Sequence, residues 1–399
     1  MSIKIMAVNA GSSSLKFKLY QMPEETIICS GIADRIGHDD GIFKISFAGQ
    51  TVKKILPLPN HAVGVKLLLE SLIDYKILNS LNEIGGIGHR VVQGGKYFSD
   101  SAIFNDDTEA KITSLIPLAP LHNKAHLVGF HAFKDVLPDV PAVAVFDTAF
   151  HQTMEPQDFL FPIPYEYYEQ YDIRRYGAHG TSHKYLGEEA AKLIPEVSHP
   201  RVISCHIGSG ASITAIRDGK CVATSMGLTP LGGIMMGTRT GDLDPSVMMY
   251  ACKCTGKDVY EMYDIFNKKS GLLGVSGISN DTRDIEEATE KGNIQADITN
   301  KLFARRVADF IGQYFVRLGG ADIIVFSAGI GENSGFYREI ICDQIGEALG
   351  VKINRELNLP LRGKTEIIST SDSKIKVAVI PTDEEIMIAR DVVRLLKLN

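Results

Sequence analysis

The sequence predicts an α/β protein built from two similar domains, and three observations carry that expectation. Residues 3–20, IKIMAVNAGSSSLKFKLY, read as an apolar strand, a polar Gly/Ser turn and a second, alternating strand. Residues 201–217, RVISCHIGSGASITAIR, repeat the same order of strand, turn and strand. Residues 321–334, ADIIVFSAGIGENS, run from a buried strand into a glycine turn, and FYREIICDQIGEAL continues as a helix. One Gly/Ser hairpin is commonplace. Two of them, each opening a stretch of mixed strands and helices, indicate a duplicated α/β domain.

Further elements fit between these. IGGIGHRVV and VPAVAVFDTAF read as apolar strands, and AVGVKLLLESLIDY (62–75) as an amphipathic helix. Asp244-Pro245 supplies a side-chain acceptor and a first-turn proline for a helix over SVMMYACK. Thr382-Asp-Glu-Glu385 fits a capping box, and DIEEATEKGN reads as a solvated helix face. No Pro- or Ser-rich linker separates the halves, so close packing with a cleft between them is expected. The boundary is placed just after the strand ending in Asp147, giving domains 1–149 and 150–384. A final helix over about 385–399 is expected to pack back on the first domain.

At 399 residues the chain exceeds a single small core, and its 44% hydrophobic and 23% charged residues are ordinary for a globular protein. The net charge of -6 comes without a long basic run, which argues against nucleic-acid or anionic-membrane partners. The N-terminal apolar run breaks into a polar turn by Asn9, too early for a secretory signal, and no stretch is long enough to span a bilayer. Six scattered cysteines point to reduced thiols and a cytoplasmic location. Cys252 and Cys254 lack a second pair at metal spacing, which argues against zinc.

Three groups of residues could carry chemistry. The first binds phosphate: a Gly/Ser turn after a buried strand aims backbone N–H groups at one place. Asn9-Ala-Gly-Ser-Ser-Ser14-Leu-Lys16 adds a lysine on the face of Ser14, and His206-Ile207-Gly208-Ser209-Gly210 is its counterpart. The pattern G-x-x-x-x-G-K-[ST] is absent, and Gly329-Ile-Gly331 lacks the third glycine of a dinucleotide fingerprint. The second group places Arg and His in or beside glycine turns: Gly88-His89-Arg90, Leu121-His122-Asn123, His179-Gly-Thr-Ser-His183 and Gly237-Thr-Arg239-Thr-Gly241. A glycine-flanked arginine suits bidentate contact with a carboxylate or phosphate. Each histidine taken singly is as well explained by structure. The third group is acidic. Asp147 closes a strand, as a magnesium-shell or arginine-orienting residue; Asp281 is either a ligand or a helix N-cap; Glu384 is either a ligand or first-turn dipole complement.

Assembled, these stretches closely resemble the acetate kinase family. The matches are Asn9-Ala-Gly-Ser-Ser-Ser-Leu-Lys16, Gly88-His-Arg-Val-Val-Gln-Gly-Gly95, Ala119-Pro-Leu-His-Asn123, Phe146-Asp-Thr-Ala-Phe-His-Gln152, His179-Gly-Thr-Ser-His183, Met236-Gly-Thr-Arg-Thr-Gly241, Ala328-Gly-Ile-Gly-Glu-Asn333 and Thr382-Asp-Glu-Glu385. They fall in the family's order along essentially the whole chain. The resemblance implies two RNase H-like, actin-type ATPase domains around a nucleotide cleft, a homodimer, and reversible phosphoryl transfer from ATP to acetate. It implies that Arg90 and Arg239 hold the carboxylate, that His179 with Arg239 stabilises the transferring group, and that Asp147 is the catalytic acid. Asn9 and Glu384 would lie near magnesium, which manganese could replace. Lys16 and His206–Gly210 would lie near phosphate. Asp281, Thr282, Arg283 and the turn Ala328-Gly329-Ile330-Gly331-Glu332-Asn333 would contact the nucleotide, and Val92, Leu121 and Pro230 would line the acyl pocket.

Three positions depart from that pattern. Ser209 stands where Asn is usual, Gln93 where His is frequent, and Ala178 where many members have Phe, which would leave room for a longer acyl chain. The sibling readings are a propionate or butyrate kinase, or an actin- or Hsp70-like ATP-binding module without carboxylate chemistry. Acetate is ionised at neutral pH and needs no base to act as nucleophile. The obstacle is charge: two like unit charges at about 4 Å repel by about 4 kcal/mol at an effective dielectric of about 20. Arginines, a lysine and magnesium meet that obstacle. On this physics Asp147 orients a cation rather than removing a proton.

Overall fold

The computed structural model describes residues 2–120 and 122–398, so Leu121 lies outside the described residues. The chain divides into two compact units, Met1–Phe150 with Asp383–Asn399, and His151–Thr382.

The first unit carries eight strands: β1 (Ile3–Ala10), β2 (Ser14–Met22), β3 (Thr26–Asp34), β4 (His38–Phe47), β5 (Gln50–Leu58), β6 (Ile84–Val91), β7 (Ala102–Ile103) and β8 (Ala142–Phe146). Their order in the sheet is β5-β4-β3-β2-β1-β6-β8-β7. The first five form an antiparallel meander, after which β6 and β8 run parallel to β1. Ile5, Met6, Ala7 and Val8 of β1 are all buried, as a strand covered on both faces must be. Met6 and Val8 share a core with Val65, Leu68 and Leu72 of helix His61–Asp74. The alternate face meets the C-terminal helix Glu384–Leu396.

That meeting explains the glycines of β6. A Cβ on Gly88 would lie 2.2 Å from Ile388 Cγ2, and one on Gly86 would lie 2.7 Å from Val392 Cγ1. The helix can sit this close only where the strand has no side chains.

The second unit has six strands: β9 (Arg201–Ile207), β10 (Ala211–Arg217), β11 (Lys220–Thr224), β12 (Ile323–Ser327), β13 (Glu366–Ile367) and β14 (Lys376–Val379), ordered β11-β10-β9-β12-β14-β13. The antiparallel triplet is followed by parallel β12 and β14. The orders β3-β2-β1-β6-β8 and β11-β10-β9-β12-β14 are the same pattern of third, second, first, fourth and fifth strand, so the expected duplication is present as an RNase H-like pair. Phe303, Val307, Ile311 and Tyr314, spaced at helical turns along helix Ile294–Leu318, bury against this sheet.

Asp244 caps its helix as expected, accepting from Ser246 N–H. The Thr382 capping box is corrected. The helix starts at Glu384, so the cap position falls to Asp383, whose carboxylate accepts from Ile386 N–H and from Lys18 Nζ at 2.9 Å. Glu385 pairs with Lys18 at 3.2 Å instead of closing a box.

Buried charge-sensitive groups also shape the first unit. The His89 ring is 2% exposed and is met edge-on by Phe104, Phe130 and Phe133, with centroids at 5.8, 5.6 and 5.5 Å. Its Nε2 has no hydrogen-bond partner among the described residues, and burial pushes its pKa down to about 3. An unfolded histidine protonates near pH 6.5, so below that pH the unfolded state gains protons that the folded state refuses, and stability falls as pH falls. His89→Phe should reduce the stability lost between pH 6.5 and 5 by up to about 2 kcal/mol, read as the shift in urea midpoint at the two pH values.

Candidate active site

In the first unit, Asn9, Arg90 and Asp147 come together because β1, β6 and β8 are adjacent parallel strands that end at one level. Val91 pairs with Phe146, and Val8 with His89, so the residues at the carboxyl ends become neighbours. Open α/β sheets bind ligands at this edge. The Arg90 Nε lies 3.1 Å from both oxygens of Asp147, and Nη2 donates to Oδ2 at 2.5 Å. The Nη1 donates to Asn9 Oδ1 at 3.3 Å. The Asp147 side chain is 1% exposed and Arg90 is 20% exposed, so the carboxylate is spent on orienting a guanidinium that still reaches solvent. Burial opposes the Arg90 charge, but Asp147 and Glu384 hold its pKa above the ordinary value. Glu384 Oε2 lies 3.9 Å from Arg90 Nε. Burial pushes the Glu384 carboxyl up to about 7 against the pull of Arg90.

The segment after Arg90 is fixed by Asn123, whose Oδ1 accepts from Gln93 N–H while its Nδ2 donates to Gln93 O. Gln93 in turn accepts from Gly95 N–H through its own amide oxygen. Val92 is buried, and Lys16, directly opposite Asn9 in the β1–β2 register, is exposed. Asn123 was visible in its motif, but its role as a brace follows only from the fold.

In the second unit the His206–Gly210 turn joins β9 to β10, closed by Gly208 N–H donating to Gly210 O. His179 precedes helix Gly180–Leu193 with φ of 59°, a left-handed conformation uncommon for a residue with a side chain. Its ring stacks on His206 at 4.2 Å between centroids. A Cβ built on Gly210 would lie 3.4 Å from Arg239 Nη1 and 3.6 Å from His179 Nε2, so both groups converge on the open space that glycine leaves. Arg239 Nη1 donates to Pro230 O at 3.2 Å, and among the described residues the guanidinium meets no carboxylate. Burial lowers its pKa. A cation held this way, without an acid of its own, is suited to an anionic ligand.

A cavity of about 480 Å³ opens beside this turn, lined by Ser209, Asn280, Asp281, Thr282, Arg283, Gly329, Ile330, Asn333 and Ser334. That volume is in the range of small-molecule sites. Asp281 both caps helix Thr282–Glu290 and pairs with Arg283 at 2.5 Å, and that pairing pulls its pKa down to about 2. Several expected ligand residues are buried or have partners within the protein. Ile207 is buried in the sheet, Ala328 and Gly331 are buried in the turn, and Gly331 O accepts from Arg338. Glu332 turns inward: its Oε1 accepts from Ala328 N–H at 2.8 Å and Thr382 N–H at 3.0 Å. It braces the turn rather than presenting its charge outward, because Ala328 (φ 63°) leaves its N–H without a helical partner. Ala178 is 3% exposed and belongs to the same hydrophobic core cluster as Met226 and Met236.

The model of the acetokinase family matches residues 4–390. The chain belongs to the acetokinase family. It is 53% identical to the acetate kinase of Bacillus subtilis over 395 residues, 99% of this chain and all of that protein. It is 53% identical to the acetate kinase of Anoxybacillus flavithermus over 396 residues, 99% of each. Among solved structures it resembles Porphyromonas gingivalis acetate kinase (40% identity, TM-score 0.93, 99% of this chain and 100% of that one) and a Francisella tularensis propionate kinase (40%, 0.92, 98% and 99%). The expectation of an enzyme, a phosphotransferase acting on a carboxyl group, is met by this membership.

The inward Glu332 yields a test. Glu332→Ala should weaken ADP binding by about tenfold, because the turn loses its brace, whereas Glu332→Gln keeps an acceptor and binds nearly as wild type. Isothermal titration with ADP reads both.

Proposed function

We propose that this protein transfers a phosphoryl group directly and reversibly between ATP and acetate, giving acetyl phosphate and ADP. The observation that carries the reading is the convergence of His179 Nε2 and Arg239 Nη1 over Gly210, with no carboxylate on Arg239 among the described residues. Family membership over nearly the whole chain supports it. Arg90 and Arg239 hold the acetate carboxylate and offset its repulsion from the phosphates. His179 and Arg239 donate to the oxygens of the transferring group as the bond to the leaving group lengthens. Asp147, with both oxygens on Arg90, orients that arginine and takes no proton. Val92 and Pro230 meet the acyl group. Lys16 and the His206–Gly210 turn meet phosphates, while Asp281, Thr282, Arg283 and the 328–333 turn form the nucleotide site.

Magnesium suits the donors of the first unit. Asn9 Oδ1 and Glu384 Oε2 are hard oxygens, both drawn to Arg90. Magnesium typically takes one or two protein oxygens and completes its shell with water and phosphate. Among the described residues no group of three or more His, Cys, Asp or Glu forms a metal cage. When bound, it neutralises phosphate charge.

Arg90→Ala and Arg239→Ala should each lower turnover by about a hundredfold or more with the fold intact by circular dichroism. Near-wild-type turnover in both would sink the assignment. Trapping the acyl phosphate with hydroxylamine while comparing kcat/KM for acetate, propionate and butyrate names the carboxylate. ATP hydrolysis indifferent to all three would instead indicate an ATP-binding module without carboxylate chemistry.

The same reading includes a homodimer in the cytoplasm. Helix Pro245–Thr255 has no buried residue, yet it presents Met249 (70% exposed) and Tyr250 (69%), and helix Val259–Lys268 beside it presents Tyr260 (81%). This face would be covered by a second copy. Met249→Asp with Tyr260→Asp should convert a dimer to a monomer in light scattering. A single mass unchanged by the pair of substitutions overturns that face as the interface. All six cysteines are unpaired, and no helix among the described residues is long and apolar enough to cross a membrane.

A further inference from the structure

His179 is held by more than its place in the backbone. Its Nδ1 lies 2.9 Å from Ser212 Oγ, Ser212 Oγ lies 2.7 Å from His183 Nε2, and His183 Nδ1 lies 2.9 Å from Ser204 Oγ. Ser204, His183 and Ser212 are each 0% exposed, so solvent neither gives nor takes a proton along this row. Burial also keeps His183 neutral, its pKa well below the ordinary value.

A hydroxyl has one proton to donate, and a neutral imidazole has one N–H and one lone pair. A hydroxyl can also accept twice, but Ser212 accepting from both His183 Nε2–H and His179 Nδ1–H would leave its own buried O–H without an acceptor among the described residues, so two proton orders remain to compare. In one, Ser204 donates to His183 Nδ1, His183 Nε2–H donates to Ser212, and Ser212 donates to His179 Nδ1. In the other every bond is reversed, and Ser204 becomes an acceptor. Among the described residues Ser204 Oγ has no other hydrogen-bond partner, so the reversed order strands its O–H in the core. A stranded buried donor loses its hydration with nothing in return, which decides for the first order.

We infer that the Ser204–His183–Ser212 row fixes the tautomer of His179, placing its single ring proton on Nε2, the atom that converges with Arg239 Nη1 over Gly210. Nε2 is then a neutral hydrogen-bond donor, whereas a lone pair there would repel phosphoryl oxygens. Ser212 and His183 are positioning residues that act through His179. A second row of the same kind reaches the stacked ring: Thr382 Oγ1 lies 2.7 Å from Ser182 Oγ, which lies 2.8 Å from His206 Nδ1. The catalytic consequence rests on His179 meeting the transferring group; the tautomer itself does not.

The experiment uses the full chain labelled with ¹⁵N-histidine. Long-range ¹H–¹⁵N spectra at neutral pH distinguish the two tautomers, with His179 assigned by its loss in His179→Asn. Wild type should show His179 protonated at Nε2. Ser212→Ala should shift it toward the Nδ1–H form and lower kcat by about tenfold to a hundredfold, with little change in KM for ATP or acetate. Ser212→Thr should restore both. A wild-type His179 protonated at Nδ1 overturns the inference, as does a Ser212→Ala spectrum unchanged from wild type. If Ser212→Ala does not fold, the wild-type spectrum alone decides. An inactive wild type that still shows the Nε2–H form leaves the tautomer standing and counts against the phosphotransfer reading.

Discussion

A site that brings anions together must hold cations ready, and a cation kept ready has to be oriented without being neutralised. Arg90 and Arg239 meet this constraint in opposite ways. Arg90 receives both oxygens of a fully buried carboxylate, which fixes the plane of the guanidinium while part of it stays accessible. Arg239 has a backbone carbonyl and a thioether for company, and keeps its charge uncompensated in the protein. The first arrangement favours precision, and the second favours strength of attraction toward whatever negative charge arrives. Strand order makes the first possible, because Asp147 can reach Arg90 only when β6 and β8 are parallel neighbours ending at one level.

The second unit solves a related problem with neutral groups. Imidazoles and hydroxyls alternate behind His179 and His206, and burial strips them of water. In water such groups would exchange protons freely and present either face. Enclosed, they become directional, and the direction is set by the hydroxyl at the end of the row. Glu332 does comparable work for the 328–333 turn, where one carboxylate oxygen gathers the N–H groups of Ala328 and Thr382.

Much of this was legible in the sequence, for identifiable reasons. Strand, Gly/Ser turn and strand leave a local signature, so both hairpins and the duplication could be read directly. Asp147 at a strand end and Asp244 before proline were equally local. What escaped were properties that depend on partners distant in the chain. The cap at Asp383 competed with a hydroxyl at Thr382 that is instead drawn to Ser182, two hundred positions away. Glu332 was expected to contact the nucleotide with the rest of its turn, because nothing nearby in the sequence announces the two N–H groups it serves. Ser204 and Ser212 were ordinary strand residues until the register placed a histidine between them.

The glycine face of β6 has a consequence for how the chain is made. Gly86 and Gly88 are covered by Ile388, Val392 and Leu396, which follow the whole second unit in the chain. During synthesis the first unit therefore waits with its central sheet bare on one side while the whole second unit emerges and folds. Its early strands are read first but finished last. Over that interval the newborn chain exposes an apolar, glycine-rich strand surface, the kind of surface that chaperones and proteases survey. A stop codon or frameshift just before Ile388 would leave Arg90, Asp147, His179, Arg239 and Glu384 in the chain, yet leave the sheet that carries Arg90 and Asp147 without its cover.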